Sequence, residues 1–247
     1  MNAPTILPEE IARFNRLADT WWDESGPMWP LHRLNALRTP FILDHVSRHF
    51  GLQPGESLAS LSFLDVGCGA GILSESIART GARVHGIDVA DRNIEIARQH
   101  TLVSGLDIRY DTLAPADLPA GSQYDVVLNM EVVEHVDNLA DFMKSCAGLT
   151  RPGGLMIVAT INRTLYSLVT AKLGAEYILG WLPRGTHDWR RFVTPDECFA
   201  LLREAGFGFR EVTGVGVNLM TRHMYQTRYL GGNYMLVAVR RGGKHLN

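Results

Sequence analysis

The stretch from Phe63 to Asp88, F-L-D-V-G-C-G-A-G-I-L-S-E-S-I-A-R-T-G-A-R-V-H-G-I-D, constrains the chain more than any other. Residues 61–66 form an apolar run with too few polar positions to alternate, as expected of a strand covered on both faces. Gly67, Gly69 and Gly71 then let the backbone turn sharply and let a ligand approach where any Cβ would obstruct it. The pattern predicts a crossover helix opening over 72–79, a stop at Gly81 and a second strand over 82–87. Asp88 falls at the carboxyl end of that strand, where open α/β sheets bind ligands. A glycine turn alone can serve only to close a loop. With a strand before it, a helix after it and an acid about 20 residues on, it indicates a nucleotide-type site in which the acid holds a ribose.

The spacing also separates cofactors. The dinucleotide fingerprint G-x-G-x-x-G would need glycine at position 72, where Ile72 stands. No G-x-x-x-x-G-K-[ST] sequence is present, which excludes a P-loop. A G-x-G-x-G turn preceded by an acid, Asp65, resembles the first motif of S-adenosylmethionine-dependent methyltransferases. That cofactor has a free ribose and no phosphate to cradle, which suits Asp88.

Strands are also predicted over 106–110, 124–129, 155–160, 209–213 and 234–239, with helices over 91–104, 138–149 and 195–205. Asp91 is expected to cap the first of these helices, and R-P-G-G at 151–154 to form the turn that closes the second. Thr194, Pro195 and Glu197 give the third a capping box with proline at its first position. Upstream, 8–23 and 31–50 read as helices, the second carrying Arg38 and an internal Pro40 and ending at Gly51. Trp22 and Trp29 flank a Gly26–Pro27 break, and a docking surface is favoured over substrate contact for these aromatics. The fold class is α/β: a Rossmann-like, seven-stranded, mostly parallel sheet with helices on both faces. It is expected to comprise an N-terminal helical segment over 1–55 packing on a core domain over 56–247, with a helical lid inserted after strand five at about 163–191.

The lid region is apolar at its centre but carries Lys172 and Glu176, so it cannot be a spanning helix. Arg163, Arg184, Arg190 and Arg191 flank it, which suits a cover over the site, a surface helix resting on lipid, or both. The formal charge of −2 gives no case for nucleic-acid binding. Cys68, Cys146 and Cys198 are scattered, without C-x-x-C pairing, which fits a reducing compartment and argues against zinc. The first residues are neither basic nor apolar enough for a targeting segment, and a bacterial cytoplasm is the simplest setting.

A second constellation, N-M-E-V-V-E-H-V, follows strand four at 129–136. If 131–135 takes one helical turn, Glu131, Glu134 and His135 share a face and could hold a divalent ion with positions open to substrate oxygens. His135 could instead act as a general base on a phenol, or the segment could line a pocket and cap the next helix.

P-L-H-R-L-N-A-L-R (30–38), L-D-V-G-C-G (64–69), N-M-E-V-V-E-H-V (129–136), T-I-N-R-T-L-Y-S (160–167), G-A-E-Y-I-L-G-W-L-P-R-G-T-H-D-W (174–189) and N-Y-M-L-V-A (233–238) together resemble the ubiquinone-biosynthesis O-methyltransferases over almost the whole chain. The resemblance implies methyl transfer from S-adenosyl-L-methionine to a phenolic oxygen of polyprenylated ubiquinone precursors. It carries cofactor-binding roles onto Arg38, Gly67, Asp88 and Met130, with Gly69 in the same turn, and a catalytic role onto Glu131, Glu134 and His135. Mitochondrial-type members are similar in using those last three positions for magnesium (Mg2+). The resemblance further implies a polyprenylated phenol as partner, peripheral contact with lipid of the inner face of the membrane through 165–183, and a complex with other proteins of the pathway. Ala36 stands where many members have proline, and Ala116 where many have glutamate, which puts an adenine contact from that loop in doubt. The rival readings are a methyltransferase for another small phenolic or lipid acceptor and a methyltransferase-like binding module without turnover.

Overall fold

The computed structural model describes residues 20–168, 189–218 and 220–242. Most of the expected helix over 8–23, and 169–188 of the inserted region, lie outside the described residues. An eight-stranded sheet of order β3-β2-β1-β4-β5-β8-β6-β7 forms the centre. Its strands are β1 (Ser62–Val66), β2 (Arg83–Asp88), β3 (Ile108–Thr112), β4 (Tyr124–Met130), β5 (Thr150–Ile161), β6 (Phe207–Asn218), β7 (His223–Thr227) and β8 (Asn233–Arg240). β1 to β5 run parallel, while β8 is antiparallel to both β5 and β6, and β7 returns antiparallel to β6. The longer helices are α1 (Trp29–Phe50), α2 (Ile72–Ala78), α3 (Asp91–Ser104), α4 (Leu139–Leu149) and α5 (Pro195–Glu204), and a single turn, Leu165–Ser167, follows β5.

The apolar strand runs are explained by the two-residue side-chain period, which divides each strand between two cores. Phe63, Val126, Leu128, Leu155, Ile157, Met235 and Val237 pack with Leu34, Phe41, Ile42 and Val46 of α1 and with Leu73 and Ile77 of α2. Their alternates Leu64, Val127, Met156, Val158, Tyr234 and Leu236 pack with Phe142, Met143 and Cys146 of α4 and with Cys198 and Leu202 of α5. α1 therefore belongs to one of the two cores, and Pro40 does not interrupt it.

Three expectations are corrected. The sheet has eight strands because β6 continues to Asn218 and folds back as β7. R-P-G-G is not a turn before β5 but an irregularity within it: Tyr124 pairs with Thr150 and Val126 with Leu155. Asp91 is the first residue of α3 rather than its cap; Ala90 precedes it, without a side-chain capping bond.

Candidate active site

The site begins where β1 ends. Gly67 has φ +66°, and a Cβ there would stand 2.5 Å from Val132 Cγ2. Gly69 has φ +55°, and a Cβ there would meet Trp21 Cη2 at 2.5 Å. Glycine thus lets two segments, 131–135 and the N-terminal one, close directly onto the turn. Beside the turn is a cavity of about 190 Å³. The carboxyl ends of β1, β2 and β4 supply Asp65, Asp88 and Met130 to it, and α1 supplies Asn35 and Arg38. Trp21, Gly67, Cys68, Asn93, Leu113, Pro115, Glu131, His135 and Phe142 also line it.

Of the residues expected from sequence, Arg38, Gly67, Asp88, Met130, Glu131 and His135 meet at this cavity. Gly69 is not among its lining residues; its N–H donates to Asp88 Oδ2 at 2.9 Å. Asp88 Oδ1 accepts from the Ala90 N–H at 2.8 Å, so the carboxylate is aimed by backbone on both oxygens. Burial raises the Asp88 pKa, and these backbone donors pull it back. Asp65 is more deeply buried, accepts from Ser74 Oγ at 2.7 Å, and is pushed up to about 6 by desolvation.

Arg38 is 4% exposed and donates through Nε to Asn35 Oδ1. Desolvation lowers its pKa, and the nearby carboxylates of Glu131, Asp65 and Glu134 oppose that. Its Nη1 is buried without a hydrogen-bond partner in the described structure. That orphaned donor at the cavity fits the carboxylate of an S-adenosylmethionine methionyl group, as Asp88 fits the ribose diol.

The proposed metal set is not assembled. Glu131 leaves β4 in the left-handed region, φ +61°, and only Val133–His135 forms a helical turn, of 3-10 type. The spacing that would align the three side chains on one helix is therefore broken at its first member. Asn233 Nδ2 donates to both Glu131 oxygens, at 2.9 and 3.0 Å. Glu134 is buried, lies outside the cavity lining and accepts from Thr160 Oγ1 at 2.7 Å. Among the described residues, no group of three or more His, Cys, Asp or Glu side chains is placed to hold a metal ion. Magnesium does not fit this arrangement. Burial and the neighbouring Glu134 raise the Glu131 pKa, while Asn233, Arg38 and His135 lower it.

Sequence reasoning gave no site role to Trp21, Asn35, Asn93 or Phe142, all of which line the cavity. Asn35 was within reach, since it lies three residues before Arg38 on the same helix face. Ala116 does not line the cavity, whereas Leu113 and Pro115 of the same loop after β3 do.

A mostly parallel sheet whose first strand ends in a glycine turn and whose second ends on an acid beside it is the arrangement of a methyltransferase-type cofactor site. Comparison with known proteins agrees: the profile of a "Methyltransferase domain" matches residues 32–212. Solved structures share the fold. Magnesium protoporphyrin IX methyltransferase from Synechocystis PCC 6803 with bound SAH aligns with TM-score 0.63 and 20% identity, over 93% of this chain and 94% of that one. A possible histamine N-methyltransferase from Thermotoga maritima aligns with TM-score 0.61 and 17% identity, over 94% and 99%.

The chain belongs to the ubiquinone biosynthesis O-methyltransferase family, and it is an S-adenosylmethionine-dependent enzyme. It is similar to the family member of Methylobacterium nodulans, 48% identical over 240 residues that make up 96% of each chain. It is similar also to that of Parvibaculum lavamentivorans, 47% identical over 96% of this chain and 94% of that one.

Proposed function

We propose that the enzyme moves a methyl group from S-adenosyl-L-methionine to a phenolic hydroxyl of polyprenylated ubiquinone precursors, of the 2-polyprenyl-6-hydroxyphenol and 3-demethylubiquinol type. The observation that carries this reading is kinship at 48% identity over 96% of both chains with a ubiquinone biosynthesis O-methyltransferase. When bound, the cofactor supplies an electrophilic methyl on a positively charged sulfur.

The chain's residues do the rest by holding and by moving one proton. Asp88, preset by the Gly69 and Ala90 N–H groups, takes the ribose hydroxyls. Arg38 takes the methionyl carboxylate, Gly67 permits close approach, and Met130 packs beside the adenine or the sulfur. The phenol must lose its proton to become a strong nucleophile, and a phenol of ordinary pKa, about 10, is mostly protonated near neutrality. His135, on the cavity wall, accepts that proton on a ring nitrogen. Glu131, with both oxygens accepting from Asn233 Nδ2, lines the same cavity. Glu134 acts from behind, anchoring the 3-10 turn to Thr160. The stretch 165–183 is read as an apolar cover for a greasy acceptor and a peripheral contact with membrane lipid. Leu165 and Tyr166 at its root, 75% and 50% exposed, support that reading. No described helix is long and apolar enough to cross a membrane.

The test is methyl transfer from S-adenosylmethionine to a polyprenylated catechol, with and without a chelator. Turnover is expected in both. His135→Ala is expected to lose about 100-fold in kcat, with recovery as pH approaches the pKa of the free phenol. Absence of transfer to any phenol overturns the function. Loss of turnover on chelation, restored by magnesium, would return Glu131, Glu134 and His135 to the metal reading.

A further inference from the structure

The wall that α1 and the segment before it give to the cavity holds three nitrogen donors without acceptors in the described structure. They are Trp21 Nε1, Asn35 Nδ2 and Arg38 Nη1. Their side chains line the same cavity, and the residues are 8%, 5% and 4% exposed. Orphaned buried donors are rare in native folds, because each has given up water for nothing in return. Three on one wall point to an acceptor shared among them.

Their orientations are not free to drift. Asn35 Oδ1 accepts from Arg38 Nε, which leaves the amide NH2 as the open end of that side chain. The six-membered ring of Trp21 is wedged against Gly69. Its neighbour Trp22 pins the segment, donating through Nε1 to Ala70 O at 3.1 Å and stacking on His100 with ring centroids 3.4 Å apart. The Trp21 carbonyl is held by His32 Nε2 at 2.8 Å.

Resting on the function proposed above, we infer that Trp21 and Asn35 complete, with Arg38, an N–H cradle for the methionyl carboxylate of the cofactor. A carboxylate offers two oxygens and about four acceptor directions, enough for all three donors at once. A neutral catechol offers two oxygens that are weaker acceptors than a carboxylate and brings no charge to answer Arg38. Charge gives the same answer. The cavity is otherwise lined by the acids Asp65, Asp88 and Glu131, so an incoming anion is accommodated on the Arg38 wall. The two neutral donors add to the open guanidinium nitrogen, and together they make the site selective for nucleosides that carry an amino-acid tail.

Two probes separate this role from a structural one. S-adenosylhomocysteine carries the carboxylate; methylthioadenosine keeps the nucleoside and the thioether without it. By calorimetric titration, Trp21→Phe, which keeps an aromatic side chain and removes the donor, is expected to bind S-adenosylhomocysteine about tenfold more weakly. Asn35→Asp keeps the acceptor for Arg38 and places a negative charge on the cradle, and about a 30-fold loss is expected. Methylthioadenosine affinity is expected to stay within about twofold of wild type in both. Equal loss for the two probes, or no loss for either, overturns the cradle while leaving the function standing. Wild-type protein that fails to bind S-adenosylhomocysteine overturns both.

Discussion

Asp88 illustrates how little of a site one residue type determines and how much its backbone does. Any acid at the end of β2 could meet a ribose, but this one arrives with both oxygens already fixed by backbone donors. The side chain lines the cavity with its orientation already set. Asp88→Ala is expected to weaken S-adenosylhomocysteine binding by one to two orders of magnitude, about 1.5–3 kcal/mol for a lost charge-assisted contact. Calorimetry on the folded variant measures this, and unchanged affinity would remove Asp88 from the site. The position of Asp88 was legible because glycine spacing and strand length are written locally. Glu131 was not. E-V-V-E-H reads as one helical face, yet the backbone enters the left-handed region at Glu131, a conformation no glycine there announces. Its partner Asn233 is 102 positions away, and no local pattern connects them.

At the scale of elements, α5 shows a signal that needed no tertiary context. Thr194 Oγ1 accepts from the Glu197 N–H at 3.2 Å, and Glu197 Oε2 accepts from the Thr194 N–H at 2.9 Å. Thr194→Ala leaves the first of these donors without its acceptor, and a cost of about 1 kcal/mol is expected. In a chain of this size that is a fall in Tm of about 2–4 °C, checked by thermal melting. A Tm within half a degree of wild type would mean the box contributes nothing. β7 failed to announce itself for the opposite reason. H-M-Y-Q-T lies on the sheet edge with exposed or half-buried side chains, so no buried face imposes alternation on its sequence. R-P-G-G misled because its composition is that of a turn, whereas here the extra residues are absorbed beside Asp125, which ion-pairs with Arg151. Composition marks where a backbone deviates, not whether a strand survives the deviation.

For the whole molecule, strand order places the cavity where crossovers leave β1 in opposite directions, toward β2 and toward β4, and α1 closes it from the side. The consequence is an acidic site buried before any ligand arrives, and its electrostatics should be visible in stability. Asp65 is 2% exposed, and its pKa rises from 3.8 to about 6, first through desolvation, with Ser74 and Arg38 opposing. Below pH 3.8 the carboxyl is protonated in both folded and unfolded chains, and its folding contribution is intact. Between 3.8 and about 6 the unfolded chain ionises first, so stability falls; above about 6 the loss is complete, about 3 kcal/mol. Glu131, raised as well, acts with the same sign, whereas Asp111, Asp125 and Glu197, lowered by their partners, act with the opposite one. Raw melting curves would mix these trends, so the difference between variant and wild type is the quantity to follow. Asp65→Asn keeps an acceptor for Ser74 and cannot ionise. Its Tm relative to wild type is expected to climb by about 5–10 °C between pH 4 and pH 6 and to level off above that. A difference that stays flat across the range would show that Asp65 titrates as an ordinary carboxylate.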